Sequence, residues 1–415
     1  MAELKYWLWL TERKGLDGRK RTELLEQFGS PERIYFADEE EYELLGVTGR
    51  AIHSLCDKSL ESAHRILGDC ERLGIHIMTI QDAAYPERLR VISQPPAVLY
   101  WKGREIAFDD EAAIAVVGTR DATPYGLQMA RKVSLDLTRA GALVLSGCAQ
   151  GIDAAAVQAA LLAGGPVVSV LGNGLDVIYP RQHRYLYEDI AAAGMLLSEY
   201  PPGTEPYQGN FPARNRILSG LSVGVVVVES PRSGGSLITA DLALEQNREV
   251  FAFPGPADAV NSEGTNRLIQ EGAAKLILSA EDVVCELVDR FPGKFGKRPP
   301  MTADEREQRL EELENRREPA PERKAPAKPQ PEKEVDNTSA VEYIDWQECQ
   351  TRLNEEQQRI LLALREGTMS ADELVDRTQI EARRVLSALT MLQIQGLAAE
   401  EGGNRFRAAV RLKME

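Results

Sequence analysis

The sequence is poor in the residues that build metal sites and disulfides. Its 415 residues include five cysteines and four histidines. Cys56, Cys70, Cys148, Cys285 and Cys349 lie far apart, with no C-x-x-C pair and no Cys/His ligand spacing, so the natural reading is reduced thiols in a cytoplasmic protein. No run approaches the roughly 20 apolar residues of a membrane span. The apolar start YWLWL at 6–10 is too short for a signal core and has no small-residue cleavage site beside it. General basic charge is missing too: 49 Lys and Arg face 64 Asp and Glu, a net charge of −15. Any nucleic-acid binding must therefore be local. Two phosphate motifs are absent as well. No G-x-x-x-x-G-K-S/T exists, and the first strand-to-helix turn reads GTRDATPYG where a dinucleotide fold would carry G-x-G-x-x-G. No nucleophile and base pair, metal cluster or paired carboxylates stand out, and His183, in PRQHRYLY, reads as a polar helix residue. Neither a cofactor nor catalysis is expected.

What is present separates into four regions. At about 150 residues per domain the length suits two or three domains. Residues 1–75 read as short helices joined by glycine turns, similar to helix-hairpin-helix or sterile-alpha-motif units. Their glycine turns would suit a DNA phosphate, but the acidic FADEEEYELL favours a small packing module. Residues 76–105, rich in proline and turn signals, suggest an extended arm laid on the next domain. From 110 to 290, the apolar runs AIAVVG, ALVLSG, PVVSVLG, GMLLSEY, VGVVVVES, EVFAFPG and AKLILS alternate with helical segments. That pattern predicts an α/β fold, a doubly wound parallel sheet of Rossmann-like type; with the arm laid on it, the core domain is expected to span 76–290. Residues 291–345 are a charged, proline-rich linker with one helical stretch around EREQRLEELENRRE. Residues 346–415 follow the order of a winged helix, with Leu386, Leu389 and Leu392 of its third helix in the core. That helix suits either a DNA groove or a protein partner.

In such sheets ligands sit past the carboxyl ends of the strands, and there the unusual residues gather. Between 111 and 290 there are 13 Lys and Arg against 20 Asp and Glu, yet Arg120, Arg181, Arg184, Arg214, Arg216 and Arg232 all fall in loops or helix starts beyond strands. Arginine forks phosphate oxygens and stacks on bases, which suits a polymer of repeated charge and exposed rings. SGGSLITADLALE, from Ser233, and SGCAQGID, around Gly147, both set glycines before a helix, where amides and the helix dipole favour an anion. Asp153 reads as a helix cap. On FPARNRILSGLS, Ile217, Leu218 and Leu221 share one arc, facing the sheet. Asn215, Ser219 and Ser222 share another, with Arg216 at its margin. The second face offers an amide and hydroxyls at the helix N-terminus, where backbone N–H groups are free. Phe211 could be core or could stack on a base.

VVGTRDATPYG, LSGCAQGIDAAA, LGNGLDVIYPRQHRYLY, SEYPPGTEP, FPARNRILSGLS, GGSLITADLALEQNREVFAFPG and EGTNRLIQEGA, in this order, resemble the DNA-processing protein A (DprA/Smf) family. The resemblance implies a cytosolic bacterial homodimer with an extended Rossmann-like core, which binds and protects single-stranded DNA and helps load RecA recombinase in natural transformation and recombination. By motif it assigns DNA contacts to Arg120, Arg181, Phe211, Arg214, Asn215 and Arg216, with Ser219 on the same face and phosphate-turn roles at Gly147 and Ser236. Thr119 replaces the serine common in the family and keeps the hydroxyl. A reading from another class remains open. SGGSLITADLALE is faintly similar to the P-G-G-x-G-T-x-x-E loop of phosphoribohydrolases, which act on nucleotides, although the second Gly-Thr step is missing.

Overall fold

Residues 3–296, 343–345, 353–365, 367–394, 397–401, 405–408 and 411–413 are described by the computed structural model. Most of the expected linker, including its charged helical stretch, lies outside the described residues. The chain divides into two compact units, 1–320 and 321–415.

The first unit begins with six helices: α1 (Leu4–Thr11), α2 (Gly18–Phe28), α3 (Pro31–Phe36), α4 (Glu39–Leu44), α5 (Gly49–Cys56) and α6 (Glu61–Leu73). Local chemistry sets their ends. The Asp17 carboxylate accepts from the Lys20 amide at the start of α2, and Gly29, at φ 76°, closes it. A capping box between Asp38 and Glu41 opens α4. The apolar start of the chain is α1, and it is buried on every side. Trp9 and Leu10 enter the helical cluster, while Trp7 and Leu8 join the cluster beneath the sheet. A helix apolar all round is a core helix, which explains YWLWL without a membrane. No helix among the described residues is long and apolar enough to cross one.

Nine strands follow: β1 (His76–Thr79), β2 (Val98–Gly103), β3 (Ala113–Val117), β4 (Leu143–Ser146), β5 (Val167–Leu171), β6 (Met195–Ser198), β7 (Gly224–Val227), β8 (Glu249–Ala252) and β9 (Lys275–Leu276). Their order in the sheet is β1-β2-β6-β5-β4-β3-β7-β8-β9. From β6 to β9 every pairing is parallel. The expected irregular arm is in fact β1 and β2, an antiparallel pair joined through the short helix α7 (Glu87–Arg90) that extends the sheet beyond β6.

Strand β3 shows why the sheet is covered on both faces. Ile114 and Val116 pack into one cluster with Val133 and Leu137 of α8 (Pro124–Ala140) and Val157 of α9 (Ile152–Leu162), and Leu186 of α10 (Arg184–Ala193) joins them. Ala113, Ala115 and Val117 point the other way. They join Ile217, Leu218 and Leu221 of α11 (Asn210–Leu221) and Ala240 and Ala243 of α12 (Gly235–Glu245). Each of those three α11 side chains is essentially inaccessible, and burying it contributes roughly 1.5–3 kcal/mol. The chain passes from β3 outward through β4, β5 and β6, then returns to β7 on the other side of β3. The switch point lies between β3 and β7, where a crevice opens past the strand ends.

The second unit is a winged helix. Its helices are α13 (Glu355–Leu364), α14 (Ala371–Thr378) and α15 (Ala382–Ile394), and capping boxes at Asn354 and Ser370 start the first two. Its strands are β10 (Tyr343–Asp345), β11 (Met369–Ser370), β12 (Ala398–Glu401), β13 (Arg405–Ala408) and β14 (Arg411–Lys413). They form a three-stranded sheet β11-β13-β12 and a separate pair β10-β14. Leu389 and Leu392 enter the core as expected. Leu386 does not: it is 48% exposed, because the core-facing positions of α15 are Val385, Ala388, Leu389 and Leu392.

Candidate nucleic-acid interface

The loops after β3, β4, β5 and β7 meet the amino ends of α11 and α12 around an open cleft of about 470 Å³. Its lining includes Arg120, Tyr179, Phe211, Asn215 and Ser236, with Asp153 and Arg214 in the floor. A smaller lobe of about 80 Å³ adjoins it, lined by Gly147, Cys148 and Gly172, and shares Arg120, Tyr179, Phe211 and Arg214 with the larger one.

Arg120 is exposed in the loop after β3. Glycine makes that loop possible. A Cβ on Gly151 would lie 2.4 Å from Thr119 O and 2.5 Å from Arg120 O, and its φ is +82°. The Arg120 guanidinium sits 5.3 Å from the centroid of the Phe211 ring. Phe211 in turn stacks on Tyr179, with centroids 5.5 Å apart and planes 28° apart. One rim of the cleft is thus a cation and two aromatic rings. Asn215 is half-buried on the rim, its Nδ2 3.5 Å from Gly235 O. Ser236 donates from Oγ to Ser230 Oγ at 2.8 Å. It lies in the first turn of α12, where helix geometry leaves N–H groups without partners inside the helix.

Arg214 is placed otherwise than its sequence position suggested. It is 5% exposed, and its Nη1 donates to Gly147 O at 3.1 Å and to Val170 O. Asp153 lies beside it, and Asp153 Oδ2 accepts the Gly147 amide at 3.1 Å. The two charges share the space over Gly147, where a Cβ would come within 2.6 Å of both Arg214 Nη2 and Asp153 Oδ2. Burial pushes the Asp153 carboxyl above its ordinary range, opposed by Arg214, by the Ala149 and Gly147 amides and by Arg120. Burial lowers Arg214 from its ordinary value, opposed by Asp153. Arg214 ties the loop after β4 and the end of β5 to α11 from beneath; it does not present its side chain to solvent. Asp153 is not the helix cap expected, because Gly151 holds that position. It reaches back to the β4 loop instead.

Two more residues depart from expectation, and packing is the reason. Arg216 pairs with Glu199 at 2.7 Å and donates from Nε to Gln94 O at 2.9 Å, so its charge is spent away from the cleft. Ser219 is fully buried. Its Oγ donates to Gln246 Oε1 at 2.7 Å, across the seam between α11 and the end of α12. Ser222 Oγ donates back to Leu218 O. A Cβ on Gly220 would lie 2.8 Å from Leu89 Cδ1. The small polar face of α11 is therefore a helix-packing face. Arg181 is exposed in the turn Arg181–His183 and is not among the residues lining the cleft. The Gly147 backbone is engaged on both sides, its amide by Asp153 and its carbonyl by Arg214.

His183 is buried, with Nδ1 3.1 Å from Cys148 O, and burial holds its pKa below the ordinary value. Its neutral ring donates from Nδ1, which makes it a structural group. Burial raises the Cys148 thiol to about 12, far from a reactive thiolate. Among the described residues no group of three or more His, Cys, Asp or Glu is placed to hold a metal. Sequence reasoning missed Tyr179. The available signal was its place in the loop after β5, between an apolar run and a proline.

A doubly wound sheet with a cation, stacked rings and helix amides at its switch point defines a Rossmann-type protein with an open polar cleft past its strand ends. Comparison with known proteins narrows this. The family model for DNA recombination-mediator protein A matches residues 76–288, and the DprA winged helix domain matches 348–404. The Smf protein of Synechocystis sp. is 33% identical over 98% of this chain and 99% of its own length. DNA processing protein DprA of Bacillus subtilis is 43% identical over 54% of this chain and 76% of its own. Among solved structures, DNA processing protein A from Streptococcus pneumoniae superposes with a TM-score of 0.61, at 33% identity over 68% of this chain and 97% of that one. The chain belongs to the DNA recombination-mediator protein A (DprA/Smf) family.

Proposed function

We propose that the protein binds single-stranded DNA in the switch-point cleft, protects it and passes it to RecA, acting in the cytoplasm as a homodimer in DNA uptake and recombination. It acts by binding and not by catalysis. The observation that carries this reading is the rim itself, where Arg120, Phe211 and Tyr179 stand in one stack beside the amide-rich start of α12. A polymer with a phosphate at every step and an unpaired base between meets both kinds of group there, whereas duplex DNA hides its ring faces. The acidic balance of the chain confines phosphate attraction to this rim, so affinity depends on few charges and falls with salt accordingly.

The test is a gel-shift or filter assay comparing oligothymidine with duplex DNA, run with and without RecA and ATP. Arg120→Glu is expected to abolish single-strand binding and leave the fold intact. An Arg120→Glu chain of unchanged affinity at moderate salt would show that the strand lies elsewhere. RecA filament formation on protein-coated DNA reads the transfer step, and sedimentation reads the dimer.

A further inference from the structure

We propose that Tyr179 is the nucleobase platform of the cleft, with Phe211 as its backing; this rests on the single-stranded DNA reading above. Phe211 is poorly placed to receive a base itself. Its ring is stacked on Tyr179 and overhung by the Arg120 guanidinium. It is also seated against Gly172, where a Cβ would come within 2.9 Å of Phe211 Cδ1. Tyr179 lines both lobes of the cleft and is 38% exposed, so it offers the accessible ring surface of the pair.

The backbone under that ring is held in place. The hydroxyl of buried Tyr187 accepts from the Tyr179 amide at 3.3 Å and donates to the Tyr179 carbonyl at 3.1 Å. A platform whose backbone is held before binding loses less conformational freedom when a base stacks on it. The ligand class is any of the four bases, because each has a π face, and the preference for sequence is correspondingly weak. Arg120, whose guanidinium also lies against the Phe211 ring, then serves the phosphate next to the stacked base. Base and phosphate recognition are divided between two side chains that meet through Phe211.

The experiment uses the full chain, an oligothymidine and an abasic oligonucleotide of the same length. Tyr179→Leu is expected to weaken oligothymidine binding by roughly 5- to 140-fold, the range for one stacked base, with unchanged salt dependence and unchanged affinity for the abasic strand. Tyr179→Phe keeps the ring and is expected to restore the affinity. Both variants retain the two main-chain bonds to Tyr187, and thermal melts confirm folding. If Tyr179→Leu binds oligothymidine as the unaltered chain does, or loses the abasic strand equally, the platform role is wrong while the parent reading stands. If the unaltered chain binds neither strand, both fall together.

Discussion

Replacing Arg214 with methionine separates the packed arrangement of the cleft floor from a direct DNA contact. In the folded chain Arg214 is 5% exposed, and its guanidinium holds the carbonyls of Gly147 and Val170 and faces Asp153. Methionine fills part of the volume but bonds to neither carbonyl, and each buried acceptor left without a partner costs about 1–3 kcal/mol. Asp153 loses the charge that opposes its desolvation, and breaking a buried pair on one side costs about 3–5 kcal/mol in all. These contributions overlap, so a loss of about 3–5 kcal/mol is expected, read by urea unfolding at neutral pH. The pH dependence carries a second signature. In the variant the folded Asp153 pKa rises further above its unfolded value, so the folded state binds the proton first. Stability is then present below the ordinary aspartate value and is lost as pH rises through the elevated one. Arg120→Met at the exposed rim is expected to change stability by no more than about 0.5 kcal/mol while weakening DNA binding. An Arg214→Met chain as stable as the unaltered one, with only its DNA affinity reduced, would refute the buried placement.

Two further outcomes follow from the same geometry. His183 is held below its ordinary value by burial, so the unfolded chain takes up the proton first as the solution is acidified. Stability is full above about 6.5, the ordinary histidine value, and is lost as pH falls toward the folded value; His183→Gln, compared by urea unfolding across that range, should flatten this limb. Gly151→Ala meets Thr119 O and Arg120 O at about 2.5 Å and a φ of +82°; it is expected to cost upward of ~1 kcal/mol and to move the Arg120 loop, so that thermal stability and oligothymidine affinity fall together.

Much of the architecture was legible because a parallel sheet covered on both faces writes itself as continuous apolar runs. All seven such runs became β3 to β9. β1 and β2 escaped because they are short antiparallel strands separated by prolines and turn residues, and the pairing of β2 with β6 depends on a partner about a hundred residues away. The cleft was partly legible for a related reason. The strand-end rule placed Arg120, Phe211, Asn215 and Ser236 at one edge, and the fold brings them together. The rule says where loops lie but not which side chains turn inward. That choice is made by tertiary partners, Gly147, Val170 and Asp153 for Arg214, and Glu199 for Arg216.

The polar arc of α11 shows where such reading stops. A helical wheel identifies which residues share a face, and it places Ile217, Leu218 and Leu221 together on the sheet. It cannot say whether the remaining faces meet water, DNA or another helix. Small polar residues suit all three: they let a backbone come close, and they can satisfy their own hydroxyls within the helix, as Ser222 does with Leu218 O. Here α12 covers that arc and Gln246 closes the seam, its Nε2 donating to Arg216 O at 3.2 Å while its Oε1 accepts from Ser219. The seam also has a use. It fixes α11 against α12, and the amino ends of these two helices carry Phe211 and Ser236 to the two sides of the cleft. Ser219 therefore serves the site through the packing that holds its walls at a set distance, while Gly220 lets Leu89 and Ile92 approach α11 closely.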